Sequence, residues 1–252
     1  MTTVSVIIPA IDEEAMLERA LLSARDAVVV EVLVVDGGSR DRTREVALAL
    51  SARLVEAAPG RAFQMNAGAR QAQAEVLLFL HADSILPVGF GRALSTAMDA
   101  GCLGGRFDIS IDSRLCGTKL VAELINLRSR ASGLFTGDQA LFVRREVFEQ
   151  MGGFAPIGLM EDLDFARRLR RRGRVAALRQ RVITSGRRWE RHGVLRTILK
   201  MWLLRAAFYL GMDPERLARS YWEPAPLARA SLGSSRTLSA RVLRERGSTT
   251  RI

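Results

Sequence analysis

Short apolar runs alternate with helically spaced apolar positions through the first hundred residues. Val4–Pro9 is the first run, and Glu31–Val35 the second, apolar after its first residue. Arg53–Glu56 and Val76–Leu80 follow as a third and fourth. Between them, Glu13–Val29 places Met16, Ala20, Leu21 and Ala24 on one helical face. Asp41–Leu50, with Ser39 as a candidate cap, and the alanine-rich Arg61–Gln73 complete the helices of this half. Strands spaced by short helices predict βαβ units and a parallel sheet. Strands with no polar alternation predict helices on both faces of it.

The pattern changes after about residue 100. Gly101–Ile111 carries the alternating strand RFDISI, and Leu115–Ser129 reads as a helix. The stretch GLFTGDQALFVRREVFEQMGGF predicts a loop, a strand and a short helix. Met160–Arg172 predicts a helix that begins acidic and ends basic, an order that suits the helix dipole. Val194–Leu210 is a further helix. It has Leu195, Ile198, Leu199, Trp202, Leu203, Ala206, Tyr209 and Leu210 on an apolar face, with Arg196, Lys200 and Arg205 elsewhere. Such a helix either packs on the domain or lies on an anionic membrane surface. From Pro224 onward the chain is rich in Ser and Arg and is expected to be a mobile tail. The expected division is 1–192 for the main domain, with halves at about 1–100 and 101–192. A helical extension at 193–223 and a tail at 224–252 follow.

Composition narrows the classes. The chain has 252 residues, 48% hydrophobic and 26% charged, enough for a sizeable core. A net charge of +11, mostly from arginine, favours anionic partners. No aromatic-rich basic array is present, which argues against nucleic acid. Cys102 and Cys116 match neither a zinc nor a redox spacing and are expected to be buried reduced thiols, in keeping with a cytoplasmic protein. No apolar run approaches the length that spans a bilayer.

Chemistry gathers at strand ends, where open α/β sheets bind ligands. Asp36 leaves the second strand before Gly37-Gly38 and could meet a base or ribose, or close an Asx turn. Asp83 ends the fourth, where a carboxylate could ligate a hard divalent cation or cap a turn. Neither GxxxxGK[ST] nor GxGxxG occurs, which argues against P-loop and dinucleotide folds. Gly104-Gly105-Arg106-Phe107 and Thr136-Gly137-Asp138-Gln139 could let a substrate approach the backbone, or serve as plain loops and strand ends.

Six motifs, VSVIIPAIDEE, VLVVDGGSRDRT, GRAFQMNAGARQA, LLFLHADS, GLMEDLDFARRLRRRG and SGRRW, occur in this order between about Thr3 and Trp189. The ordered set resembles family 2 glycosyltransferases with the GT-A fold, small stand-alone bacterial members above all. The resemblance implies a Rossmann-like α/β fold with a mostly parallel central sheet. It implies an inverting transfer of a sugar from a nucleotide-diphosphate sugar, UDP before GDP, to an acceptor hydroxyl. Pro9, Ile11 and Glu13 would lie beside base and ribose, Asp36 on the base, Gly38 on the ribose, and Arg61 and Asn66 along the nucleotide. Asp83 would hold Mg²⁺ or Mn²⁺. Asp162 of the Glu161-Asp162 pair would be the general base. Arg187, Arg188 and Trp189 would face diphosphate and acceptor, with Arg106, Asp138 and Gln139 on the acceptor side.

The chain departs from the family where His81 replaces the first acid of the Asp-x-Asp motif. Donor contact, a capping role and metal ligation remain open for it. His192 is either a late metal ligand or an exposed histidine at a helix start. The acceptor is a small molecule or a lipid-linked one, the latter fitting peripheral membrane contact through 194–210 at the inner membrane face; a homodimer is also open. An inert nucleotide-sugar binding module is the alternative. A sugar-phosphate nucleotidyltransferase ranks below it, since AIDEE replaces the glycine-rich basic loop such an enzyme needs after the first strand.

Overall fold

The computed structural model describes residues 2–221. Among them, eight strands form one sheet. They are β1 (Val4–Ala10), β2 (Val29–Asp36), β3 (Arg53–Glu56), β4 (Val76–Phe79), β5 (Ser84–Ile85), β6 (Gly104–Asp112), β7 (Phe142–Arg144) and β8 (Val175–Ser185). The helices are α1 (Leu17–Ser23), α2 (Thr43–Ala49), α3 (Arg61–Gln71), α4 (Phe90–Asp99), α5 (Thr118–Ser132), α6 (Arg145–Gln150), α7 (Glu161–Arg172), α8 (Arg187–His192), α9 (Val194–Tyr209) and α10 (Pro214–Tyr221).

The sheet order is β3-β2-β1-β4-β7-β6-β8-β5. The first four strands are parallel, with Ile7 opposite Leu33 on one side and Phe79 on the other. β7 is antiparallel to β4 and β6, β8 runs parallel to β6, and β5 is antiparallel to β8. The result is a curled, mixed sheet with helices on both faces.

Successive strand residues alternate between two core layers, as the pleat requires. Val4, Val6 and Ile8 join Val34, Leu78 and the apolar face of α4 in one layer. Ile7, Leu33, Val35, Leu77 and Phe79 join α3 and α7 in the other. That second layer is pinned by Phe79, Phe148, Phe154 and Phe165. Phe79 meets Phe154 edge-on at 4.9 Å, and Phe154 meets Phe165 at 4.8 Å. Each such pair adds about 0.5–1.5 kcal/mol beyond the area it buries.

Several boundaries differ from the sequence reading. The first helix is only Leu17–Ser23, because Val29 is already paired to Val4 in the sheet. Ser39 caps no helix; its hydroxyl accepts the Asp12 N–H at 3.0 Å. β8 and α4 were not foreseen. β8 is half exposed and rich in arginine, so it lacks the apolar run that marks a buried strand. Cys102 is buried as expected, but Cys116 is exposed.

α9 is attached by a different seam from the one expected. Val194 and Ile198 pack near Ile109 and Val121, while Leu204 packs with Leu159, Leu163 and Leu217. Leu195, Leu199, Trp202 and Leu203 remain 61–83% exposed. No helix among the described residues is long and apolar enough to cross a membrane. The end of the expected extension and the expected tail at 224–252 lie outside the described residues.

Candidate functional site

Strand pairing assembles the site. β5 begins immediately after His81-Ala82-Asp83 and pairs Ser84 with Thr184 of β8. β8 then leads into α8, so Arg187 arrives beside Asp83 although 104 residues separate them. Arg187 Nη2 donates to Asp83 at 3.2 Å and to both Glu13 oxygens at 2.8 and 3.0 Å. One cation thus bridges two carboxylates from the tips of β1 and β4. Burial raises the Glu13 carboxyl, and the Arg187 contact only partly offsets it.

The β1 and β2 tips are tied together just as closely. Gln64 Nε2 of α3 donates to the carbonyls of Ala10 and Val35, at 3.0 and 2.7 Å. Asp12 accepts from the Arg40 amide at 2.7 Å, and Thr43 Oγ1 accepts from the Glu13 amide at 2.8 Å. Asp36 is fully buried and accepts from the Ser39 amide, the Gly38 amide and Arg44 Nε at 2.7 Å. Burial would raise its carboxyl, but these donors prevail and hold it below the usual range. Gly38 adopts φ +102°, which a side chain rarely tolerates, so the turn needs glycine there. Ile11 is 40% exposed at the mouth of this turn, and its Cδ1 lies 2.6 Å from where a Gly37 Cβ would stand.

His81 and Asp162 face one another across Gly137. A Cβ on Gly137 would lie 2.8 Å from His81 Nε2 and 3.6 Å from Asp162 Oδ2. Both line a cavity of about 10 Å³ with Pro9, Gly137 and Phe154, which is space for roughly one water. Asp162 Oδ2 accepts the Gly137 amide at 2.7 Å, and Oδ1 accepts the Leu163 amide at 2.6 Å. Burial still raises its carboxyl above the ordinary value, despite those bonds and the charge of Arg61. Glu161 is 4% exposed; burial and the neighbouring Asp162 push it up to about 7. Burial and the field of Arg61 push His81 down to about 4, so the imidazole is neutral near neutral pH. Arg188 stacks on the Tyr221 ring at 4.1 Å, and burial and Arg61 lower it to about 10.

The site therefore brings together Pro9, Glu13, Arg61, His81, Asp83, Glu161, Asp162, Arg187 and Arg188. Other expected site residues serve the framework. Arg106 is 1% exposed and paired with Asp108 inside the protein, because β6 is buried on both faces along this stretch. Gln139 is fully buried and donates to Phe107 O and Ser129 Oγ. Asn66 clamps the Phe154 backbone through both amide atoms, at 2.9 and 3.0 Å. Trp189 packs against the Ile109–Val121 cluster. Asp138 accepts the Thr136 hydroxyl and lies in the field of Asp162. His192 ends α8 rather than starting a helix, exposed among Arg188, Arg191, Arg196 and Lys200. Those charges make it unfit to hold a cation.

Two participants in the site's electrostatics were not anticipated. Arg128 of α5 and Arg205 of α9 lie in each other's field, with Asp138 and Asp162 near Arg128. Each arginine lies at an ordinary polar position of its helix, so the sequence carries no signal for it.

No cage of three or more His, Cys, Asp or Glu exists among the described residues. Two carboxylates already bridged by one positive charge do fit a hard cation that completes its shell with phosphate oxygens and water.

Comparisons with known proteins bear on the family and the fold. The profile of Glycosyl transferase family 2 matches residues 5–152. Curated sequences returned no match. Among solved structures, residues 1–349 of S. aureus TarS in complex with UDP-GlcNAc superpose with a TM-score of 0.59 at 18% identity, covering 73% of this chain and 58% of that one. The chain spans 36% of the longer TarS structure. Glucosyl-3-phosphoglycerate synthase from Mycobacterium tuberculosis, with Mn²⁺, UDP and glucosyl-3-phosphoglycerate, gives a TM-score of 0.51 at 22% identity, covering 71% of this chain and 70% of that one. At these identities the likeness bears on the fold, which is GT-A.

Proposed function

This chain belongs to glycosyl transferase family 2, and from that membership we propose that it moves a sugar from a nucleotide-diphosphate sugar, UDP-linked in preference, to an acceptor hydroxyl with inversion. The observation that carries the reading is the meeting of His81, at the tip of the donor strand β4, with Asp162, at the start of α7, across one glycine.

Asp162 is the base of this reaction. Its carboxylate is held by two backbone amides, so its orientation is fixed, while burial raises its proton affinity toward working pH. One carboxylate base without a covalent intermediate gives inversion by a single displacement. Neutral His81 offers the donor a hydrogen bond without adding positive charge or demanding a counter-ion. Arg187, Arg188 and Arg61 would neutralise the negative charge that the departing diphosphate gains. Asp83 and Glu13 would hold Mg²⁺ or Mn²⁺, which would supply further neutralisation of that diphosphate. The Mn²⁺ in the mycobacterial structure supports the choice. The exposed Leu195, Leu199, Trp202 and Leu203 support peripheral contact of α9 with a membrane surface.

Calorimetric titration with UDP and with GDP, each with and without Mn²⁺, tests the reading. Metal-dependent binding of UDP in preference to GDP is expected. A folded sample that binds neither nucleotide would overturn it.

A further inference from the structure

Several arginines among the described residues are answered, whatever their burial. The buried Arg106 pairs with Asp108, the half-buried Arg44 with Asp36, and the half-buried Arg168 with Asp164 and the carbonyls of Met151 and Gly153. Arg128 and Arg205 differ. Arg128 Nε and Nη2 and Arg205 Nε are fully shielded from solvent and have no hydrogen-bond partner among the described residues. The two side chains come from different helices, α5 and α9, yet lie in each other's field. The nearby acids are engaged elsewhere: Asp138 by the Thr136 hydroxyl, Asp162 by the amides of Gly137 and Leu163.

Two like charges with buried, empty donors are an unfavourable arrangement for folding alone. An oxyanion between them relieves both at once, because guanidinium forks match the oxygens of phosphate and carboxylate. We propose that Arg128 and Arg205 form an anion site beside Asp162 that recognises a phosphate group carried by the acceptor. Naming the ligand as the acceptor rests on the glycosyltransferase reading; the anion site itself rests on the guanidinium donors. It fixes the distance between the acceptor's charge and the hydroxyl that loses its proton to Asp162. The phosphate belongs either to a soluble ester or to a lipid headgroup.

The test is calorimetric titration of inorganic phosphate into protein already saturated with UDP and Mn²⁺, which fill the donor side. The wild type is expected to bind one phosphate. Arg128→Met and Arg205→Met should each weaken it by about tenfold or more, with UDP affinity kept. Thermal melting without phosphate separates a binding role from a structural one. Arg128→Met should melt at the wild-type temperature or above it, since it removes an unanswered buried charge. Arg128→Lys, which keeps the charge but loses the fork, should fold and still bind phosphate more weakly. No phosphate binding by the wild type, equal binding by the variants, or a large fall in melting temperature for Arg128→Met would each overturn the site. Phosphate binding through Arg128 in a protein that binds no nucleotide would leave the anion site standing and remove the glycosyltransferase reading. Two further arms assign the source. Competition of glycerol 3-phosphate with phosphate indicates a soluble ester. Recruitment to phosphatidylcholine vesicles only when they contain phosphatidic acid, lost in Arg128→Met, indicates a lipid headgroup.

Discussion

The two edges of the site handle charge in opposite ways. On the donor edge, the tips of β1, β2 and β4 carry acids that are all answered. Asp12 meets the Arg40 amide, Glu14 the Arg42 amide, Asp36 meets Arg44, and Glu13 and Asp83 share Arg187. On the acceptor edge, Glu161 is buried beside Asp162 and pushed up to about 7, and Arg128 and Arg205 keep unanswered donors. The donor edge is thus organised before a nucleotide arrives. The acceptor edge holds unfavourable charges that only a ligand or a proton relieves, as sites that trade stability for activity do. In the proposed reaction the same contrast would separate a fixed platform from the place where a proton moves.

The largest expected effect falls on the proton acceptor. Asp162→Asn keeps the size and an oxygen for the Gly137 amide but cannot take a proton. Turnover is expected to fall by about 10²–10⁴, with UDP affinity retained. A loss of less than tenfold would move the base elsewhere and erase the contrast between the edges. Next is Asp108→Ala, which lies in the acceptor half but belongs to an answered network with Arg106 and Arg130. Stranding Arg106, 1% exposed, is expected to lower stability by about 3–5 kcal/mol in urea titration. A small loss would mean that unanswered charge is general to this half rather than confined to the site.

Glu161→Gln comes third and is read against pH. The folded Glu161 carboxyl binds its proton more tightly than the ordinary value of 4.5, at about 7. Its contribution to stability is therefore complete below about 4.5 and is lost as pH rises through about 7. The glutamine variant should match the wild type in acid and exceed it above neutral pH by on the order of 3 kcal/mol. Equal stability at both ends, measured by denaturant titration, would show that Glu161 is not strained by its burial.

The donor half was legible because local rules and fold agree there. Runs such as Glu31–Val35 and Val76–Leu80 are apolar because both sheet faces are covered, and β3 was placed at Arg53–Glu56, where it stands. Asp36 and Asp83 stand out at strand ends, whereas the role of Asp162 is one the family resemblance implies. The acceptor half resisted reading because its parts are specified by distant partners. β8 has an exposed, arginine-rich pattern and is a strand because β6 pairs along nearly its whole length. Arg106 opens the alternating strand RFDISI, and no local pattern shows that β6 is buried on both faces from Gly104 to Ile109, which puts Arg106 in the core. Arg128 and Arg205 each read as ordinary polar helix positions. Their meaning arises from the packing of two helices whose crossing no local spacing encodes.

The smallest expected effect tests the hinge between the edges. Gly137 does not adopt a left-handed backbone, so alanine is not excluded by conformation. Its Cβ would stand 2.8 Å from His81 Nε2, and the buried imidazole would have to shift by a few tenths of an ångström. The contact with Asp162 Oδ2, at 3.6 Å, is ordinary. Gly137→Ala is therefore expected to lower stability by only about 1 kcal/mol, the low end for overpacking. Its effect on turnover should be larger, about tenfold, because small displacements of positioned groups are amplified in rate. UDP affinity should change less than turnover, since the atoms nearest the added Cβ belong to His81 and Asp162 and not to Asp83, Glu13 or Arg187. Equal losses in stability and turnover would reduce the His81–Gly137–Asp162 contact to packing. A turnover loss well beyond the stability loss would show that the answered edge and the unanswered edge act as one site through this single glycine.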